Sequence, residues 1–256
     1  LTSIVLLDPS AAWEIRGNIY PVENGIITWT AESFPGFNLS GSESLSLNIS
    51  NEQIKAGHGS YKSDVQQKGF AHREWGHYSA LSFLGQEFFI GYLEGCQMAE
   101  PLNLLSSGIG YLSRVLIDSD ESHTIESDES LPLSDGYSLK FSDEEDGVKV
   151  ELYKEGYLMD SQILLPPSDY IYKASIANEN ATCIAAGIKA NVRLEPKSFY
   201  TIKGLFQISE DIKPIELGME FGEMQVRKIS DSGIELRNKN DLNVSRIIKD
   251  LGIMRN

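Results

Sequence analysis

Residues 131–165 read LPLSDGYSLKFSDEEDGVKVELYKEGYLMDSQILL, and the fold class follows from how this stretch alternates. Tyr137, Leu139 and Phe141 take one side of an extended chain, and Ser138, Lys140 and Ser142 take the other. A period of two marks a half-buried strand, because successive side chains of extended backbone point to opposite faces. The acids Asp143, Glu144, Glu145 and Asp146 then interrupt the pattern, followed by Gly147, a residue that tolerates positive φ. Alternation resumes with Val148, Val150 and Leu152 against Lys149, Glu151 and Tyr153. A second turn at Lys154, Glu155 and Gly156 leads into Tyr157 to Leu165, which Pro166 and Pro167 stop. Three strands joined by two tight turns predict an antiparallel meander.

Working outward, the same grammar recurs. Leu45, Leu47 and Ile49 alternate against Ser46, Asn48 and Ser50, and Ile26, Ile27 and Trp29 form another short run. Gln66 to Tyr92 is rich in aromatics and predicts core strands, with Gly76, Gly85 and Gly91 at bends. Strand patterns continue at Cys183 to Leu194, Thr201 to Ile208, Met224 to Ile229 and Ile234 to Leu236. Short strands punctuated by Gly, Pro, Asn and Ser turns predict an all-β sandwich or barrel. Two single helical turns are expected, at Met98 to Leu105 and Asn51 to Ala56. Asp118 to Glu129, DSDESHTIESDE, is expected as an exposed connection because it is polar and acidic. The tail Ser245 to Met254 is open to two readings, a capped helix or extended chain.

The 256 residues carry a formal charge of −15 and are 41% hydrophobic and 9% aromatic. That apolar content excludes wholesale disorder. The acidity makes nucleic acid a poor partner, since no basic stripe exists to neutralise phosphates. No stretch reaches the roughly 18 to 20 apolar residues of a spanning helix. Leu1 opens no charged-then-apolar leader, so processing or excision of the segment is expected. The two cysteines, Cys96 and Cys183, allow one disulfide or two buried thiols.

The combination of LSRVLID (Leu112 to Asp118), LPLSDGYSLKF and DGVKVELYKEGYLMDSQI resembles the S-layer family duplication domain of methanogenic archaea. TIKGLFQISE (Thr201 to Glu210), FGEMQV and GIELRN extend the likeness downstream. Upstream, EIRG (Glu14 to Gly17), FPGF (Phe34 to Phe37) and FFIGY (Phe88 to Tyr92) fall in the family's order. The resemblance implies two β-sandwich domains of mainly antiparallel strands. The expected layout is discontinuous, with residues 1–130 plus 211–256 as one sandwich and 131–210 inserted as the second; a plain two-domain split near Ser130 is the alternative. It implies a structural, extracellular subunit of a porous cell-surface lattice that self-associates in two dimensions. The chain is then expected to be one repeat of a longer protein, anchored to the membrane only through segments beyond it.

The chemistry-bearing residues agree with a non-enzyme that needs no cofactor. His72, Glu74 and His77 sit close, but lack the His-Glu-x-x-His spacing of zinc hydrolases, so surface or packing roles are expected. No Gly-x-Ser-x-Gly elbow or phosphate-binding Gly-rich loop is present. Asn-x-Ser/Thr acceptors occur at Asn38, Asn48, Asn180 and Asn243, and make N-linked glycans candidate partners. Asp118, Asp120, Glu121, Asp143, Glu144, Glu145 and Asp146 form a candidate acidic surface or pore cluster. It would hold cations weakly and set a negative potential. The rival reading is a carbohydrate-binding or adhesive sandwich, which would need Trp13, Trp29 or Trp75 exposed to stack on a sugar ring. Tryptophan in a strand-rich chain more often belongs to the core.

Overall fold

The structure, a computed structural model, describes residues 12–15, 18–21, 26–30, 42–50, 53–127 and 129–243. It is all-β, with antiparallel pairing throughout the described sheets and one short 3-10 turn at Arg73–Trp75. An eight-stranded sheet runs in the order Ser168–Ile176, Glu179–Leu194, Lys197–Glu216, Ile109–Glu126, Gln86–Tyr92, His77–Phe83, Gln66–Gly69, with Leu105–Ser106 beside Ile109–Glu126. Its spine is a pair of long strands of 18 and 20 residues, Ile109–Glu126 and Lys197–Glu216.

The meander forms as its alternation predicts. Ser130–Pro132, Tyr137–Glu144, Gly147–Lys154 and Tyr157–Leu164 make a four-stranded sheet in chain order. Its apolar face, Tyr137, Leu139, Phe141, Val148, Val150 and Leu152, packs on Ile125, Tyr170, Ile184, Ile188, Tyr200 and Ile202 of the eight-stranded sheet. Leu139, Val148, Val150 and Leu152 are fully buried. Each such side chain contributes about 1.5–3 kcal/mol relative to exposure.

A six-stranded sheet covers the other end of the spine. In it Gly233–Asn238 pairs with Gly59–Asp64, so strands from the C-terminal part return to those of the N-terminal part. Tyr61, Val226, Ile229, Ile234 and Leu236 meet Leu81, Phe88, Ile90, Leu112 and Ile215 there. The opposite face of the eight-stranded sheet gathers the aromatics Phe70, Trp75, Tyr78, Phe89, Tyr92 and Phe206. Because both faces are covered, the run Ala181–Ile188 is buried at every residue, as expected of a strand enclosed on both sides.

Two expected helical turns are replaced by extended chain. Leu102 and Leu104 donate to the carbonyls of Tyr92 and Ile90, at 3.0 and 2.7 Å, so this segment runs alongside Gln86–Tyr92. Gly91 permits the approach, since a Cβ there would lie 1.9 Å from the Leu102 carbonyl oxygen. Pro101 also disfavours helix at Glu100. Gln53–Ile54 pairs with Leu242–Asn243, which removes the second helical turn. The larger correction concerns Asp118 to Glu129. Residues 118–126 are not a loop but the second half of Ile109–Glu126, paired with Lys197–Glu216 as far as Glu126 opposite Phe199. The tail beyond Asn243 lies outside the described residues.

Candidate functional site

The two acidic segments are positioned by different devices. Ser119 pairs with Leu205 and Ser122 with Lys203, so Asp120 and Glu121 together oppose Gly204 in a β-bulge. The bulge re-aims Asp120. Its Oδ1 lies 2.5 Å from His72 Nδ1 and its Oδ2 3.5 Å from Lys203 Nζ. Asp118 accepts from the Ala71 amide at 2.8 Å and from the Tyr78 hydroxyl at 3.1 Å. Glu121 is exposed.

His72 is the hub of this cluster, and it is 4% exposed. Its Nε2 faces Lys189 Nζ at 3.1 Å and Glu74 Oε2 at 3.2 Å, and Lys189 bonds Glu74 at 3.1 Å. Its ring meets Trp75 edge-on, with centroids 4.8 Å apart. Gly204, at φ +88°, makes room for it, because a Cβ there would come within 2.7 Å of the ring. The His72 hydrogen bond holds the Asp120 carboxyl below the usual aspartate range, and Lys203 adds to the effect. Lys189 does the same for Glu74 by hydrogen bond and charge. The sequence places His72 near Glu74; nothing in it shows Asp120, Lys189 or Lys203 closing around the ring. His77 is exposed and takes no part.

The second segment caps a hairpin. Tyr137–Glu144 and Gly147–Lys154 are paired up to Glu144 opposite Gly147, leaving Glu145 and Asp146 as an exposed two-residue turn. Asp143 is drawn back into the sheet, accepting from the Ser198 hydroxyl, from Asn191 Nδ2 at 3.4 Å, and lying 3.3 Å from Arg193 Nε. Burial pushes its pKa up, but the bonds from Ser198 and Asn191 and the Arg193 charge outweigh that and lower it. Arg193 also donates to the Glu144 carbonyl at 2.9 Å. The candidate acids therefore fall into tied residues (Asp118, Asp120, Asp143) and open ones (Glu121, Glu145, Asp146), with Glu144 half-buried.

Of the glycan acceptors, Asn180 is exposed one residue beyond the start of Glu179–Leu194, and Asn48 is half-buried at the end of Glu43–Asn48. Thr182, which completes the Asn180 sequon, is 1% exposed and donates to the Met98 carbonyl at 2.9 Å. Asn38 and the side chain of Asn243 lie outside the described residues. Trp75 is 1% exposed, which removes it as a sugar platform, while the side chains of Trp13 and Trp29 lie outside the described residues. Cys96 and Cys183 are free thiols, and burial pushes Cys183 up to about 12.

Two cavities bear on catalysis. One, of about 550 Å³, is apolar and lined by Phe83, Phe88, Leu112, Ile215, Met219 and Phe221 among others, with Lys213 its one titratable side chain. The other, of about 580 Å³, is basic, with Arg227, Lys228, Arg237 and Lys239 around Gly57. Glu235 is the one acid lining the second, and Arg237 Nε bonds it at 2.7 Å. Among the described residues no group of three or more His, Cys, Asp or Glu is placed to hold a metal ion, and no helix is long and apolar enough to cross a membrane.

A sequence profile of the family described as S-layer protein matches residues 20–255. The chain belongs to the S-layer protein family. It is similar to the Major S-layer protein of Methanosarcina mazei, 24% identical over 255 residues that cover 91% of this chain and 36% of the relative. It is also similar to the Major S-layer protein of Methanosarcina barkeri, at 23% over 261 residues, 93% of this chain and 36% of the relative. The chain thus spans 36% of the length of these curated relatives. S-layer proteins are structural, extracellular and self-assembling into lattices at the cell surface, and membership of such a family implies a non-enzymatic role.

Proposed function

We propose that this chain is a wall segment of a two-dimensional S-layer lattice whose open acids make the coat a charge-sensitive sieve. The observation that carries this reading is the split between tied and open carboxylates. Glu145 and Asp146 stand exposed at the tip of a rigid hairpin. Charges there act on solvent alone, whereas Asp118 and the still exposed Asp120 are also bonded to groups of the fold. At physiological salt the Debye length is about 8 Å, so a rim of fixed carboxylates selects by sign only in a narrow passage. Weak cation binding at this tip follows from the same chemistry.

The test is entry of two small dyes of equal size and opposite charge through isolated envelopes. At low ionic strength the cation enters faster, and the gap closes as salt rises. Replacing Glu144, Glu145 and Asp146 by amides narrows it, whereas Asp118→Asn leaves it unchanged. Equal entry of both dyes at low salt would reduce the acidity to a solubility device.

N-linked glycans fit the same reading, with Asn180 and Asn48 as acceptors and Asn38 and Asn243 as further candidates. The burial of Thr182 supports modification of Asn180 before folding: the folded chain should then refuse glycosylation in vitro, and an unfolded peptide of the same sequence should accept it. We also infer the two-unit layout of 1–130 with 211–256 and an inserted 131–210. It is supported by two cores that share no residue, one drawn from Ile125 to Leu205 and one from Tyr61 to Leu112 and Ile215 to Leu236, while a third core joins the units through Phe70, Trp75 and Phe89 with Cys183 and Phe206.

A further inference from the structure

The strand Tyr157–Leu164 is built inside out. It is the last strand of the four-stranded sheet, paired with Gly147–Lys154 on one side and, among the described residues, with no strand on the other. From Met159 onward its exposure alternates strictly, and the half-buried positions are Asp160, Gln162 and Leu164. Asp160 accepts from the Tyr170 hydroxyl and from Gln162, both at 2.8 Å, and Gln162 also donates to the Ile171 carbonyl at 2.8 Å. The polar side chains thus close the gap to the neighbouring sheet. The apolar ones face out, with Met159, Ile163 and Leu165 exposed at 44, 58 and 72%. Beside them on the outer face, Lys149 and Glu151 neutralise one another at 2.7 Å.

Unpaired edges of this kind are normally blunted by charge, proline or a bulge that turns them away. Here a bulge falls at Met159, between the pairs Leu152–Asp160 and Tyr153–Leu158, yet the outward positions from there on, Met159, Ser161, Ile163 and Leu165, carry no charge, in a chain whose formal charge is −15. Two copies of so acidic a chain repel over most of their surface, and this edge is where they can meet without opposing carboxylates. We infer that Met159–Leu165 is a self-docking edge, which pairs antiparallel with the same strand of a second copy about a two-fold axis through Ser161. In that register Met159 lies opposite Ile163, so these apolar side chains gain apolar partners and the edge amides and carbonyls complete a ladder. Seven residues span about 23 Å, a small contact, so a single pair is weak and gains strength by repetition across a layer.

This inference rests on the lattice reading but fails separately from it. Sedimentation equilibrium of the 256-residue chain shows the average mass rising with concentration toward twice that of one chain. Met159→Lys or Ile163→Lys weakens the association at least tenfold without moving the thermal midpoint, and Leu217→Lys, at an exposed position elsewhere, does neither. In a Cys96→Ser background, mild oxidation links Ser161→Cys chains into covalent dimers faster than Asp231→Cys chains. A chain that stays monomeric at every concentration overturns the self-docking edge and leaves the lattice reading standing. Association that survives both lysine variants, or equal cross-linking at positions 161 and 231, overturns it as well.

Discussion

Asp118 to Glu121 reads DSDE and Asp143 to Asp146 reads DEED, yet these two near-equivalent segments end in different physical states. The first lies inside an 18-residue strand, where a bulge opposite Gly204 aims Asp120 at His72 and Asp118 reaches the Ala71 amide and Tyr78. The second closes a hairpin, where only Asp143 is recovered by Ser198, Asn191 and Arg193. Acidic composition does not decide whether a segment is surface or structure; the partner strand does. Lys203 and Lys197 are the cations facing Asp120 and Glu126, and they arrive from 83 and 71 residues downstream.

The sharpest way to break this comparison is at the bulge itself. Gly204→Ala adds a Cβ at φ +88° that would sit 2.7 Å from the His72 ring. Strain and overpacking together should cost about 3 kcal/mol, read as a drop in the urea midpoint with unchanged slope. Next in size is His72→Ala. It leaves Asp120 and Lys189 without a shared partner and opens a hole beside Trp75, and should cost about 2 kcal/mol. If either change were silent, the first segment would be as decorative as the second.

Acid titration sharpens the contrast. Asp120, Glu74 and Asp143 have folded pKa values below their ordinary ones. Such groups contribute stability that is present above the unfolded value, near 4, and is lost as pH falls through the folded value. Unfolding midpoints should therefore fall between about pH 5 and pH 2. Asp120→Asn should flatten that limb, while Glu145→Gln should leave its shape unchanged. A Glu145→Gln variant that flattened the limb equally would erase the distinction.

The same contrast explains what the sequence disclosed. The meander was legible because each strand's alternation is local and its turn residues stand between runs. Ala181–Ile188 was legible as an apolar run. The strand 118–126 was not, since its acids find their cations on another strand and local polarity then imitates a loop. His72 was read for surface or packing roles, and its burial fits the packing reading, but its hydrogen-bonding partners Asp120 and Lys189 are non-local. Met98 to Leu105 was misread as helical because the pull comes from backbone bonds to Ile90 and Tyr92. Tyr157–Leu165 was legible as a strand, whereas its reversed polarity depends on Tyr170 and Ile171 across the gap.

The smallest expected effect is the most discriminating. Glu145→Gln with Asp146→Asn removes two exposed charges that stand next to Glu144 at the hairpin tip. Surface charges of this kind change stability by no more than about 0.5 kcal/mol. The sign should be favourable, because the substitution relieves repulsion among adjacent carboxylates at the tip. That repulsion is screened over a Debye length of about 10 Å at 0.1 M salt and about 3 Å at 1 M. The thermal midpoint of the variant should thus lie slightly above the parent's at low ionic strength and merge with it at high salt. Asp118→Asn and Asp120→Asn should instead lower the midpoint under both conditions, since the bonds they weaken are short-ranged and little screened. A loss of more than about 1 kcal/mol from the tip variant would mean that the hairpin acids are bound as firmly as those of the bulge, and that the open, solvent-facing charge on which selective passage depends lies elsewhere.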